Sequence, residues 1–157
     1  MRNALWLLLS VVVIVLDLWT KHLAEAHLEY GEFIPVMPFF NFTLAYNPGA
    51  AFSFLADAGG WQRYFFALIA ITAVLVMLVW LLRLKSQPLL ACALSLVIGG
   101  ALGNLHDRIL LGHVIDFLDF YWGASHFPAF NLADSAITLG AVLLIIDTIF
   151  PGEKEHD

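Results

Sequence analysis

The chain has 157 residues, 61% of them hydrophobic and only 13% charged, and its mean hydropathy is +0.85. Soluble domains are about half apolar and roughly a quarter charged, so the composition argues against a water-soluble globule and for lipid as the solvent, in one compact unit with no second domain. Thirteen acids against seven basic residues give a net charge of −6, but the acids are scattered and no basic run offers a footprint for nucleic acid.

Crossing roughly 30 Å of hydrocarbon takes about 20 helical residues. The first stretch that qualifies covers residues 4–23, with Asp17, Thr20 and Lys21 near its far end. Arg2, the apolar run and Ala24-Glu25-Ala26 imitate a cleaved signal peptide, but Asp17 interrupts the run where a simple apolar region would be uniform. We read it as a retained span. The connection that follows carries GEFIPVMPFFNFTLAYNPGAAFSFL, in which residues 39–46 have strand character and Asn47-Pro48-Gly49 is a turn signal. A small β-rich element at the outer membrane surface is expected there.

The second span, residues 64–82, is framed by Arg63 and Arg83, with Trp61 and Tyr64 suited to the interfacial aromatic belt. The third covers 89–105 and ends in GGALGN, whose Gly99, Gly100 and Gly103 permit close helix approach. Cys92 within it is the single cysteine, so no internal disulfide forms, and it reads as a small buried apolar residue. The fourth span, 132–150, stops at Pro151-Gly152. The expected fold class is therefore a membrane all-α protein of four transmembrane helices plus the β-rich element.

An even number of spans puts both termini on one side, together with Arg2, Arg83, Lys85 and Lys154 in short segments. Lys21, Arg63 and Arg108 fall on the other side in longer connections. The density of positive charge favours cytoplasmic termini, with segments 24–63 and 106–131 facing outward.

On that topology the polar groups gather at the outer end. Asp17, Thr20 and Lys21 end span one; Asn47 lies in the outer connection; Asn104, Asp107 and Arg108 close span three. Asp116 and Asp119 follow in GHVIDFLDF, and Asn131 and Asp134 open span four in FNLADS. An ionised group at the bilayer centre costs about 2.5–3.5 kcal/mol on insertion scales, so such a cluster is a functional candidate by default. Each member also has a structural reading. Asn131 and Asp134 have capping-box spacing, Asp107-Arg108 reads as an interfacial ion pair, Asp17 and Lys21 are an i,i+4 pair, and Asp147 is an interfacial residue at the cytoplasmic end.

The combination carries more than its parts. Spans three and four are consecutive and antiparallel, so Asp116 can approach Asp134. Two adjacent carboxylates share a proton; one activates water while the other, protonated, polarises a scissile carbonyl. That chemistry needs no metal, cofactor or nucleophilic side chain. Asp119 competes with Asp116: if 112–120 is extended, alternation puts them on opposite faces and spacing alone does not choose. His106, His113 and His126 lack the tight spacing of a zinc site, and no Ser lies in a G-x-S-x-G context. A different class, a small proton-coupled carrier using Asp17, Asp116 and Asp134 as a relay, predicts carboxylates spread through the membrane depth rather than crowded at one face.

DLWTK (17–21), NPGAAFSF (47–54), GGALGNLHDR (99–108), GHVIDFLDF (112–120) and FNLADS (130–135) occur in this order over nearly the whole chain. Together they resemble the lipoprotein signal peptidases, the type II signal peptidases of bacterial inner membranes. The resemblance implies a catalytic dyad of Asp116 and Asp134, supporting roles for Asp17, Lys21, Asn47, Asn104, Arg108 and Asn131, and a structural or supporting role for Asp107. It also implies a four-helix bundle with a small β-cradle, and an aspartic endopeptidase that cuts prolipoproteins before a diacylglyceryl-modified cysteine near the periplasmic face. Membrane lipid is the implied surrounding. Because one chain supplies both aspartates, a monomer is expected.

Overall fold

The computed structural model describes residues 2–49 and 59–150. A short 3₁₀ turn, Arg2–Trp6, leads into α1 (Leu7–His27); β1 (Phe33–Met37) and β2 (Phe40–Asn47) follow. Then come α2 (Gln62–Arg83), α3 (Pro88–Leu110), β3 (Val114–Trp122), the two-residue β4 (Ser125–His126) and α4 (Leu132–Ile149). Four helices are long and apolar enough to cross a membrane, as the hydropathy predicts. Part of the expected NPGAAFSF block, residues 50–54, lies outside the described residues.

Helices α1 and α3 run on to His27 and Leu110, past the predicted ends at 23 and 105. The polar residues near those predicted ends lie within the helices instead, where Asp17, Lys21, Asn104 and Asp107 are in contact through Lys21. Pro88 sits at the start of α3, where its missing N–H costs nothing.

Helix α3 is the centre of the bundle: 67% of its apolar window is buried, against 17%, 11% and 17% for α1, α2 and α4. Its composition explains that place. Gly99 lies under Ser10 and Val13 of α1, and Gly100 under the Ala133 carbonyl and Ile137 of α4. On α4, Gly140 lies against Ala93 and Val97 of α3. Lipid supplies no hydrophobic drive for helices to associate, so close backbone approach at small residues and interhelical hydrogen bonds do that work. Ser10 Oγ accordingly donates to the Ser95 carbonyl at 2.7 Å. Val74, Leu81, Leu90, Leu94 and Ile98 fill the α2–α3 seam.

The four strands form one antiparallel sheet in the order β1-β2-β3-β4. Asn41 pairs with Asp119 and Ala45 with Asp116, so β2 spends one more residue than β3 between these two rungs. That bulge adds local twist and re-aims the side chains that follow it. Leu44, Ile115 and Phe117 seat the sheet on Ala24 near the end of α1. The chain then runs back along β3 as Phe127–Phe130, with Phe130 bridged to Leu118, and enters α4.

Candidate active site

Helix α4 begins where the sheet and the ends of α1 and α3 meet, and its first turn organises the site. The first backbone N–H groups of any helix lack intrahelical partners. Here Asn131 is the N-cap: its side-chain oxygen accepts from Asp134 N at 2.9 Å, while Asp134 Oδ2 accepts from Asn131 N at 3.3 Å, a complete capping box. The next orphan, Ala133 N, donates to Asp17 Oδ1 of α1 at 2.9 Å. The capping expectation for Asn131 and Asp134 therefore holds, and it coexists with a second set of contacts.

Asn131 Nδ2 donates to Asp116 Oδ1 at 2.8 Å and also reaches Asn104 Oδ1 and the Ile115 carbonyl, each at 3.1 Å. Asn104 Nδ2 donates to Asp134 Oδ1 at 2.7 Å. Asn47 Nδ2 donates to Asp116 Oδ2 at 3.3 Å, across the diagonal that β2–β3 pairing creates between Asn47, opposite Val114, and Asp116 two residues on. Asp116 and Asp134 thus share Asn131 and face one cavity of about 840 Å³, which Asn47, Asn104 and Arg108 also line. Phe130, Ile137, Leu139 and Val142 make its apolar side.

Behind the pair is a buried charge cluster. Lys21 Nζ lies 2.7 Å from Asp17 Oδ2 and 2.8 Å from Asp107 Oδ2, and donates to Asn104 Oδ1 at 3.0 Å. The expected Asp17–Lys21 pair is present, but it is half of a triad. The expected Asp107–Arg108 ion pair is not: consecutive helical residues do not face each other. Asp107 turns inward to Lys21 and accepts from Ile115 N at 3.3 Å. Arg108 turns to the cavity, donates to the Gly49 carbonyl at 3.1 Å and sits 5.6 Å from the Phe66 ring centroid.

Asp116 is 3% exposed, and its carboxyl is pushed from 3.8 up to about 7. Burial is the main cause and the Asp134 charge the second; donation from Asn47, the Lys21 charge and donation from Asn131 oppose them. Near neutrality Asp116 is therefore close to the midpoint of its titration, where an ordinary aspartate would be fully ionised. Asp119 has other partners. It accepts from Asn41 at 2.8 Å and contacts His126 Nδ1 at 2.9 Å, on the opposite face of β3. The strand alternation anticipated that separation. Asn41 and His126 as its partners were not anticipated; the only signal was their place on neighbouring strands. Among the described residues no group of three or more His, Cys, Asp or Glu converges as metal ligands would.

The chain resembles known proteins in both sequence and fold. The family model described as signal peptidase (SPase) II matches residues 9–150. The lipoprotein signal peptidase of Acinetobacter baumannii is 58% identical over 150 residues, covering 95% of this chain and 85% of that protein. That of Pseudomonas fluorescens is 58% identical over 152 residues, covering 95% and 89%. Among solved structures, one bacterial membrane enzyme superposes with a TM-score of 0.83 at 35% identity, covering 98% of this chain and 95% of its own. A second gives 0.81 at 33% identity, covering 95% of both chains.

Proposed function

We propose that Asp116 and Asp134 are the catalytic pair of this chain, which belongs to the signal peptidase II family and is a protease that removes signal peptides from prolipoproteins. The observation that carries this reading is the shared Asn131, which bonds both aspartates at the edge of one cavity. Asp134, at the first turn of α4 with donors from Asn104 and Asn131, is placed where the helix dipole favours a carboxylate. Asp116, whose proton is retained up to about 7, is the acid.

In the resulting mechanism Asp134 takes a proton from a water as that water attacks the scissile carbonyl, while Asp116 donates its hydrogen bond to the carbonyl oxygen. Collapse of the tetrahedral intermediate breaks the C–N bond. The departing amine takes a proton from the pair and the signal peptide leaves with a carboxylate. The bond cut is the one before a cysteine already carrying diacylglycerol. The acyl chains lie along the apolar side formed by Ile137, Leu139 and Val142, and Asn47 and Arg108 face the extended peptide. Asp17, Lys21 and Asn104 hold the pair in place from behind.

A multi-pass bacterial membrane protein with this site fits the inner membrane, with both termini cytoplasmic, the sheet at the outer surface and the pair near the periplasmic face. It works as a single integral-membrane domain, surrounded by lipid, as a monomer. The carrier reading needs Asp17 as a relay partner, but Asp17 is committed to Lys21 and Ala133 N. The test is cleavage of a diacylglyceryl-modified prolipoprotein by purified protein in detergent. Wild type turns over, Asp116→Asn and Asp134→Asn do not, and Asp119→Asn retains its kcat. Turnover in either of the first two, both being folded, overturns the assignment.

A further inference from the structure

One polar pair lies outside the catalytic machinery and is built with equal care. Asp119 is 2% exposed, and its carboxylate receives Asn41 Nδ2 at 2.8 Å and His126 Nδ1 at 2.9 and 3.0 Å from its two oxygens. Burying a carboxylate is costly without such donors. The imidazole is further fixed by ring contacts, stacked on Tyr121 at 5.4 Å and tilted against Phe33 at 4.9 Å. His126 is the last residue before Phe127-Pro128-Ala129-Phe130, and those four residues line the catalytic cavity.

A second cavity of about 490 Å³, lined by Asp119, His126, Tyr30 and Thr43, shares Ala45, Phe127, Pro128 and Ala129 with the first. The segment therefore borders both cavities, and where it faces open space close packing does not fix it. Its position depends on its ends. At one end Phe130 N donates to the Leu118 carbonyl and the Phe130 carbonyl accepts from Phe117 and Leu118. At the other, β4 pairs His126 with Tyr121, Phe127 N donates to the Phe120 carbonyl at 2.7 Å, and His126 meets Asp119. Between them Pro128 has no N–H to give to the sheet.

We propose that Asp119 and His126 form a latch that holds residues 127–130 as the peptide-facing wall of the catalytic cavity, making both positioning residues for substrate binding. The proposal rests on the reading of that cavity as the protease site. A wall that slackens weakens the fit of substrate without altering the reacting carboxylates, so its loss is read in KM rather than in kcat.

The test compares His126→Phe, which keeps a ring against Tyr121 and Phe33 but removes the donor, with His126→Asn, whose Nδ2 stands where Nδ1 was. Each is assayed with diacylglyceryl-modified prolipoprotein in detergent, and backbone deuterium exchange is followed across residues 125–131. His126→Phe is expected to raise KM about tenfold, the worth of one lost hydrogen bond to a charged group, with kcat within about twofold. Exchange rises in the segment, and His126→Asn restores both readouts towards wild type. Unchanged exchange in His126→Phe overturns the latch, whatever the fate of the catalytic assignment. Raised exchange with KM unmoved, or with kcat alone reduced, overturns the positioning role. Asp116→Asn serves as the independent control: wild-type exchange in this segment with no turnover is expected, and turnover there sinks the dyad while the exchange data still judge the latch.

Discussion

Lys21 Nζ donates to Asn104 Oδ1 at 3.0 Å, and the amide nitrogen of that same Asn104 donates to Asp134 Oδ1 at 2.7 Å. One asparagine thus couples a buried ammonium to a candidate catalytic carboxylate, and the orientation of its amide is dictated by the charge on each side. Lys21 also compensates Asp17 and Asp107, each no more than 1% exposed. Removing one member of a buried ion group leaves the others uncompensated, at about 3–5 kcal/mol. Lys21→Met is therefore expected to lower the thermal midpoint in detergent sharply and to abolish cleavage. Measured unfolding close to wild type would show that the cluster is not held by this lysine.

Asn131 does two jobs that a single substitution can separate. As N-cap it accepts from Asp134 N, and through Nδ2 it donates to Asp116. Serine caps helices as well as asparagine does but cannot span to Asp116; alanine does neither, and loss of a cap costs about 1 kcal/mol. Asn131→Ala and Asn131→Ser should both lose about tenfold or more in kcat, since a hydrogen bond to a charged group is worth about 1.5–3 kcal/mol. Both should lose stability, because the buried partners of Nδ2 are left unpaired, and the alanine variant should lose about 1 kcal/mol more in denaturant unfolding for the missing cap.

The pH dependence follows from Asp116. Its carboxyl titrates near 7 in the folded protein against an ordinary 3.8. Between those values the native state keeps a proton that the unfolded chain has released. Stability is therefore highest below 3.8 and falls as pH rises towards 7, then levels off. Turnover that needs the shared proton is lost as pH climbs through about 7. Asp116→Asn removes the titrating group, so it should be inactive yet gain stability over wild type more at pH 8 than at pH 5, as thermal unfolding at the two values will tell. In Asp134→Asn one of the two causes of the shift is gone and burial remains. The Asp116 carboxyl should then titrate lower than in wild type but still above 3.8, a displacement visible in isotope-edited infrared carboxyl bands.

What the sequence disclosed and what it withheld divide along physical lines. Apolar run length gave all four helices, because membrane thickness sets a local rule that needs no partner information. Strand character at residues 39–46 and the capping spacing of Asn131 and Asp134 were legible for the same reason. The partner of Asp107 was not: adjacency in sequence suggested Arg108, whereas the helix turns Asp107 towards Lys21, 86 positions earlier in a different helix. The pairing of Asp119 with Asn41 was hidden because it depends on β2–β3 register across a bulge. Choosing Asp116 over Asp119 was likewise beyond spacing. It rested on resemblance; the structure shows Asn131 bonded to Asp116, and Asp119 bonded instead to Asn41 and His126.

The seam between α3 and α4 offers a last prediction, because the same steric conflict can be placed near the site or away from it. A Cβ on Gly100 would collide with the Ala133 backbone carbonyl and come within 2.8 Å of Ile137 Cγ1. A Cβ on Gly140 would lie 2.6 Å from Val97 Cγ2 and 2.7 Å from the Ala93 carbonyl. Neither carbonyl can move without its helix, so each alanine should cost about 1–3 kcal/mol of stability. Their effects on chemistry should differ. Ala133 is next to Asp134, and pushing its carbonyl outwards tilts the turn that carries the aspartate and the Asp17 bond to Ala133 N. Gly140 is about 9 Å further along the helix at 1.5 Å per residue. Gly100→Ala is thus expected to lose both stability and kcat, by about 10²-fold for a misplacement near 1 Å. Gly140→Ala should lose stability while the folded fraction turns over at the wild-type rate. Equal kcat losses in the two variants would mean that bundle packing as a whole, rather than the first turn of α4, sets the position of Asp134.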